Sequence, residues 1–326
     1  MHPKQTQPIL VTGSHRSGTT WVGKVLSLAP GTILISEPFA PNGILRHHKV
    51  FRLWFHHVES DDPALYYALD QILNGRYSIS QVMDFKNVLP ATDFRNPQGI
   101  HSGKFDYRYF PARWQVYRDW LRLKIKGTKP VTPILKDPIA FFSAPWLYRK
   151  FQTRNIILIR HPAAFVGSLK RMNWSFNFAN FLEQSSLMKQ YLGPFERQMR
   201  EADSHDIIRS GALLWNCIHH VIKSYQTEFP TWYFLRHETL SQSPIKEFQR
   251  LFHYLKLPFD ENIHNYIVSS TTSDKTLDSG KIHVLKRDSQ ANIKAWKTRL
   301  SPSEIRTIRQ ITEPLASTFY QNDDWE

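Results

Sequence analysis

The chain has 326 residues, of which 41% are hydrophobic, and a single cysteine, Cys217. This length and composition suit one large α/β domain with insertions, or two small domains, around a sizeable core. A single cysteine excludes an intrachain disulfide. The 42 Lys and Arg residues against 28 Asp and Glu residues give a net charge of +14. This charge favours polyanionic ligands or an anionic surface, but no nucleic-acid recognition motif of the usual kinds accompanies it.

The N-terminal residues 1–7 contain no apolar core of the kind that signal peptides carry. No apolar run in the chain is long enough for a transmembrane helix. We therefore expect neither a signal peptide nor a membrane span, and we predict a cytoplasmic location.

A loop bounded by Gly13 and Gly18 follows the apolar run 8–12 and precedes the amphipathic run 21–28. This pattern predicts a strand, a loop and a helix, an arrangement that aims backbone N–H groups and a helix N-terminus at one anion. The glycine spacing matches the first half of a Walker A loop, but Thr19 stands where that motif needs lysine. The loop is therefore predicted to bind a phosphate-like group other than the β- and γ-phosphates of ATP.

The run Arg16-Ser17-Gly18-Thr19-Thr20-Trp21 resembles the 5′-phosphosulfate loop of sulfotransferases, which use 3′-phosphoadenosine 5′-phosphosulfate (PAPS) as donor. The resemblance implies that all six residues bind the donor, with Arg16 in place of the family's loop lysine and Trp21 against the adenine. Trp21 is predicted almost equally well as a core residue of the first helix. Arginine at this position resembles the carbohydrate-type and bacterial branches.

The remaining elements follow in chain order. We predict strands over 8–12, 33–36, 132–136, 155–159 and 231–235, and helices over 21–28, 63–69, 113–126, 141–151, 162–171, 206–229 and 243–255. Residues 89–111 indicate an ordered loop and 269–290 a polar segment. Ser301 and Glu304 indicate a capping box that begins a last helix. Short apolar strands that alternate with helices predict an α/β fold with a P-loop-NTPase-like parallel sheet and helices on both faces. The ligand is expected at the carboxyl ends of the strands.

Arg160 follows the most apolar strand, and Ser168 comes eight residues later in the next predicted helix. A guanidinium fork and a hydroxyl placed in this way can converge on one anion. The pair resembles the 3′-phosphate motif of sulfotransferases, which implies that Arg160 and Ser168 bind the donor's 3′-phosphate. A helix-capping arginine and an ordinary helix serine are the alternative.

Two further strand ends carry candidate catalytic residues, Glu37 and Lys136. Lys136 resembles the family's strand-end lysine, but Pro138 occupies the place of the catalytic histidine of the cytosolic branch. Glu37, followed by Pro38, resembles the Glu-Pro pair of carbohydrate-type members and is our predicted general base; a solvated carboxylate or a partner for Arg16 is the alternative. Asp137 is a weaker rival that we expect to orient a neighbouring loop, and His15, His101 and Asp106 are more remote candidates. Arg16 and Lys136 are predicted to stabilise the charge that develops as the sulfuryl group leaves.

The last third of the chain fits the family pattern more loosely. His237 stands where the family has a tyrosine that contacts adenine. Lys286 and Arg287 resemble the basic closing segment that reaches the 3′-phosphate, although the pattern RKGxxG is absent; a solvated basic loop explains them equally well.

Together these residues predict one sulfotransferase domain over 1–326, with acceptor-side insertions near 42–126 and 172–205. The resemblance implies in-line sulfuryl transfer from PAPS to a hydroxyl acceptor, without a metal ion or a covalent enzyme intermediate. The basic charge favours an anionic glycan as acceptor over a flat aromatic alcohol, and nucleic acid is not expected. A P-loop nucleotide kinase and a catalytically silent nucleotide- or glycan-binding protein are the alternatives.

Overall fold

A parallel five-stranded sheet forms the centre of the chain. The computed structural model describes residues 6–40, 43, 45, 53–59, 61–76, 117, 121, 131–271 and 293–326. Within these ranges the strands are β1 (Ile9–Gly13), β2 (Thr32–Ser36), β3 (Thr132–Lys136), β4 (Arg154–Ile159) and β5 (Tyr233–Arg236). The strand order is β2-β3-β1-β4-β5, and every neighbouring pair is parallel. All carboxyl ends therefore lie at one edge of the sheet.

Thirteen α-helices lie in the described residues; seven of them were predicted, and six were not, namely Ala179–Leu182, Ser185–Leu187, Glu196–Glu201, His237–Gln242, Glu261–Thr271 and Trp296–Arg299. The thirteen helices are α1 (Thr19–Leu26), α2 (Pro63–Leu73), α3 (Ala144–Phe151), α4 (Pro162–Met172), α5 (Ala179–Leu182), α6 (Ser185–Leu187), α7 (Glu196–Glu201), α8 (Ile207–Glu228), α9 (His237–Gln242), α10 (Pro244–Tyr254), α11 (Glu261–Thr271), α12 (Trp296–Arg299) and α13 (Pro302–Ala316). Shorter 3₁₀ or π turns cover Phe141–Ser143, Met188–Leu192, Gly193–Phe195 and Asn322–Trp325. The Ser301–Glu304 capping box is present at the start of α13.

Some predicted segments lie wholly or mostly outside the described residues. The loop over 89–111 is one of them. Of the helix predicted over 113–126, only Tyr117 and Leu121 are described, and both are helical. The predicted polar segment begins inside α11, which ends at Thr271, and its remainder is not described.

The sheet is buried on both faces, which explains the continuous apolar runs in its strands. On one face, Leu10, Leu135 and Ile157 contact a core that α2, α3, α4 and α8 contribute to. On the other face, Val11 and Ile156 contact side chains from α1, α10 and α11. This arrangement confirms the predicted α/β class with a parallel sheet covered by helices on both sides.

No helix among the described residues is long and apolar enough to span a membrane. The cytoplasmic location and the single domain over 1–326 stay predictions.

Candidate functional site

The loop between β1 and α1 has a backbone that its two glycines make possible. Gly13 has a φ of 126°, and a Cβ there would lie 2.3 Å from the carbonyl oxygen of Leu158 in β4. Gly18 is the N-cap residue of α1 with a φ of 98°, and it has no side chain with which to cap this helix. The first N–H groups of α1 therefore lie close after the carboxyl end of β1 without a cap from this residue. This is the geometry of an anion site.

Arg160 and Ser168 meet the loop at the carboxyl end of β4. The Arg16 Nε donates to the Ser168 Oγ at 3.0 Å, and the Arg160 Nη1 donates to the backbone carbonyl of Arg16. Arg160 is 7% exposed and Ser168 2%. The guanidinium of Arg16 thus contacts the buried hydroxyl of Ser168, the guanidinium of Arg160 contacts the backbone of Arg16, and the sequence motifs at 13–21 and 160–168 lie against each other. The Arg16 guanidinium also lies 5.6 Å from the ring centroid of Trp174.

Glu37 and Lys136 form an ion pair at the ends of β2 and β3. The Lys136 Nζ lies 2.5 Å from the Glu37 Oε1, and the two side chains are 6% and 39% exposed. Gly23 in α1 makes room for the lysine, because a Cβ at residue 23 would lie 2.9 Å from the Lys136 Cγ. The buried lysine therefore holds a carboxylate that stays accessible to an incoming molecule.

Asp137 is fully buried and fixes the turn that carries Glu37. Its Oδ2 accepts the N–H of Phe39 at 2.7 Å, and its Oδ1 accepts the N–H groups of Ile139 at 2.9 Å and Ala140 at 3.1 Å. Burial and the nearby Glu37 raise the pKa of Asp137 to about 7, against the opposing effect of these hydrogen bonds and of Lys136. Glu37 has a φ of 49°, so its turn needs such external support. The contacts agree with the predicted loop-orienting role of Asp137.

Trp21 and His237 stand at positions where the family contacts adenine, and both also make contacts within the protein. The Trp21 ring packs edge-on against Phe248, with 5.2 Å between centroids, and it is only partly buried, so this contact is compatible with both interpretations of the residue. His237 lies against the loop between β1 and α1, since a Cβ at Gly18 would come within 2.8 Å of the His237 Nδ1. The sequence alone did not indicate that residue 237 supports this loop.

His15 is buried between two phenylalanines. Its ring centroid lies 5.6 Å from that of Phe55 and 5.0 Å from that of Phe165. Burial, helped by Arg16, lowers the pKa of His15 to about 3. A histidine in this environment contributes packing rather than proton transfer. His101, Asp106, Lys286 and Arg287 lie outside the described residues.

Trp215 supports the backbone at Arg160, a role that the sequence did not indicate. Its Nε1 donates to the carbonyl oxygen of Arg160 at 2.8 Å from helix α8. No motif links these two residues, which are 55 positions apart. In the described part of the chain, no group of three or more His, Cys, Asp and Glu side chains could hold a metal ion.

Comparison with known proteins shows to which family the chain is related. The family model described as "Sulfotransferase family" matches residues 8–261. A stretch of 67 residues is 32% identical to carbohydrate sulfotransferase 1 of Mus musculus and to that of Rattus norvegicus; it spans 21% of this chain and 16% of those relatives. Among solved structures, the sulfotransferase domain from the curacin biosynthetic pathway covers 96% of this chain and 99% of its own, at 14% identity and a TM-score of 0.45. Sulfotransferase STF9 from Mycobacterium avium covers 97% and 78%, at 14% identity and a TM-score of 0.47. Because the family model extends from the residue before β1 to the start of α11, the chain belongs to the sulfotransferase family.

Proposed function

We propose that the protein transfers a sulfuryl group from PAPS to a hydroxyl group of an acceptor. The observation that carries this proposal is the meeting of Arg16, Arg160 and Ser168 beside the N-terminus of α1. Such a site suits a ligand with two separate anionic groups, because a helix N-terminus and two guanidinium groups are different anion-binding elements and lie near each other here.

The donor's two phosphate ends have separate proposed ligands. The loop residues Ser17, Gly18, Thr19 and Thr20 bind the 5′-phosphosulfate, and Trp21 lies near the adenine. Arg160 and Ser168 bind the 3′-phosphate, and Lys286 and Arg287 are its further proposed ligands. The buried position of Arg160 and Ser168 supports this assignment, because a buried guanidinium is stable when an anion pairs with it.

The chemical step needs a base and a stabiliser of negative charge. Glu37 removes the proton of the acceptor hydroxyl as the new oxygen–sulfur bond forms, and the bond from sulfur to the 5′-phosphate oxygen breaks in line. The products are a sulfate ester and 3′,5′-bisphosphoadenosine. Arg16 and Lys136 stabilise the charge on the departing phosphate. A positioned base of this kind contributes about 10²- to 10⁴-fold in rate.

A glycan is the proposed acceptor class. The partly exposed Glu37 can be reached by a hydroxyl compound from solvent, and the net charge of +14 suits an anionic sugar chain. The 67-residue similarity to carbohydrate sulfotransferase 1 supports the same choice. A substrate panel tests it: turnover of phenols and steroids without turnover of sugars would reject the glycan.

The donor site is tested by calorimetry with 3′,5′-bisphosphoadenosine, 5′-AMP and ATP. We expect wild type to prefer the 3′-phosphorylated nucleotide and Arg160→Ala to abolish that preference. Arg209→Ala is the matched control, because this exposed arginine lies in the first turn of α8 and its side chain pairs with Asp206 at 3.5 Å. A wild type that shows no preference, and turns over ATP with magnesium, would return the loop to the kinase alternative.

The catalytic assignment needs a separate variant. Glu37→Gln keeps the size of the side chain but cannot accept a proton, so we expect nucleotide binding to persist while acceptor turnover falls. Unchanged turnover in this variant would reject Glu37 as the base. A protein that binds the bisphosphate but turns over no acceptor in any panel would be a silent binding protein.

A further inference from the structure

Three aromatic side chains from the last part of the chain surround the residue that follows Arg160. The ring of His161 stacks on Trp296 with centroids 5.4 Å apart and an interplanar angle of 15°. Tyr320 and Trp325 meet the same ring edge-on, at 4.9 and 4.4 Å. We call Trp296, Tyr320 and Trp325 the aromatic clamp. All three lie beyond residues 8–261, where the family model matches.

The clamp also fixes the backbone at His161. The N–H of His161 donates to the Glu238 Oε1 at 3.0 Å, and the Tyr320 hydroxyl donates to the Glu238 Oε2 at 3.0 Å. Tyr320 therefore acts on His161 twice, once through its ring and once through Glu238. Because Trp215 holds the carbonyl of Arg160, both polar atoms of the peptide group that joins Arg160 to His161 are anchored.

The same clamp reaches the neighbour of Ser168. Gly167 lies against Trp296, since a Cβ at residue 167 would be 3.4 Å from the Trp296 Cβ. Trp296 thus contacts the residue next to each proposed ligand of the 3′-phosphate. Arg160 and Ser168 are eight residues apart in the chain. The clamp therefore links two points of the chain that both belong to the proposed 3′-phosphate site.

Polar contacts hold the clamp in place. The Arg236 Nη2 lies 2.7 Å from the Asp324 Oδ1, and the Arg309 Nη2 donates to the Asn322 Oδ1 at 2.6 Å. Burial lowers the pKa of His161 to about 3, so the ring at the centre of the clamp is neutral. The clamp therefore acts on His161 through ring packing and through the hydrogen bonds of Glu238, and it leaves the positive charge of the site to the arginines.

We propose that the aromatic clamp positions Arg160 and Ser168 for the 3′-phosphate, so that the C-terminal segment is a working part of the donor site. This inference rests on the proposed function, because it takes Arg160 and Ser168 as ligands of that phosphate. A displacement of about 1 Å in a binding group can cost as much as about 10²-fold in function, so loss of a clamp side chain should weaken recognition of the 3′-phosphate in particular.

The test compares two nucleotides and two tryptophan variants. Trp325→Ala removes a clamp member that is 8% exposed. The control Trp232→Ala removes a tryptophan that is 5% exposed and lies directly before β5, at the amino end of this strand. Calorimetry measures the affinity of each protein for 3′,5′-bisphosphoadenosine and for 5′-AMP, and urea unfolding measures stability. We expect both variants to be less stable, but only Trp325→Ala to lose about tenfold in preference for the bisphosphate.

The outcomes separate the inference from the proposed function. A wild-type preference for the bisphosphate that Trp325→Ala leaves unchanged overturns the clamp alone. A wild type without this preference overturns the proposed function and the clamp with it. If Trp325→Ala does not fold, Tyr320→Phe decides, because it removes only the hydroxyl that holds Glu238. A reduced preference in Tyr320→Phe supports the clamp, and an unchanged preference overturns it.

Discussion

Replacement of Asp137 by asparagine should change how the stability of the protein depends on pH. Asp137 is fully buried, and its carboxyl accepts three backbone N–H groups from Phe39, Ile139 and Ala140. Asparagine keeps the shape of the side chain but does not titrate. The difference in unfolding free energy between wild type and Asp137→Asn therefore isolates the titration of this carboxyl.

The structure gives the direction and the size of the effect. Burial, with Glu37 nearby, raises the pKa of Asp137 from 3.8 to about 7 in the folded chain. In the unfolded chain the Asp137 carboxyl ionises above about pH 3.8, whereas in the folded chain it stays protonated up to about pH 7. Stability from this group is therefore complete at low pH and is lost as the pH rises through about 7. Each unit between the two pKa values is worth about 1.4 kcal/mol, so we expect wild type to lose about 2–3 kcal/mol relative to Asp137→Asn between about pH 5 and about pH 8.

Urea unfolding at several pH values measures this difference. Thr312→Val is the control, because Thr312 is fully buried and its Oγ1 donates to the carbonyl of Ile308 in its own helix at 2.9 Å. Its effect on stability should not vary with pH. In a Glu37→Gln background, the loss should move to lower pH, since Glu37 is the second-largest cause of the raised pKa. A wild-type to Asp137→Asn difference that stays constant across the range would refute the assignment of a raised pKa to Asp137.

Three further outcomes follow from the contacts. Ser168→Ala removes the acceptor of the Arg16 Nε, and we expect calorimetry to show roughly tenfold or greater loss of bisphosphate affinity, the cost of one hydrogen bond to a charged group. Gly18→Ala places an L side chain at a φ of 98° and against His237, so urea unfolding should show a loss of about 1–3 kcal/mol in stability. In a His237→Ala background, part of that loss should be recovered. No recovery would contradict the contact between residues 18 and 237. Ser301→Ala breaks the capping box of α13 and should cost about 0.5–2 kcal/mol with nucleotide affinity unchanged.

Local pattern was enough to predict most elements of the fold. The apolar runs that became β1, β2, β3 and β4 are buried on both faces, and continuous burial is typical of strands in a parallel sheet. Proline at the start of α4 and the cap of α13 marked helix starts for reasons that involve only neighbouring residues. Boundaries shifted by one to a few residues, because fraying ends depend on packing that the sequence does not show.

Contacts between distant residues could not be predicted in the same way. The Glu37–Lys136 pair exists because β2 and β3 are neighbours in the sheet, with Ser36 opposite Lys136. The order of the strands along the chain does not predict which strands are neighbours, because in the sheet β3 lies between β2 and β1. The support of Gly18 by His237 and of Arg160 by Trp215 likewise depends on which helices and strand ends meet at one edge.

The sequence by itself determined the chemical character of the site: a glycine-bounded loop without the Walker lysine, and an arginine and a serine eight residues apart. These features are local, because turn conformation and helix spacing depend on nearby residues. Only the tertiary structure decided that Arg16 bonds to Ser168, that Asp137 holds the Glu37 turn, and that the aromatic clamp closes on His161. Such pairings depend on packing across the whole sheet, where residues far apart in sequence compete for the same buried space.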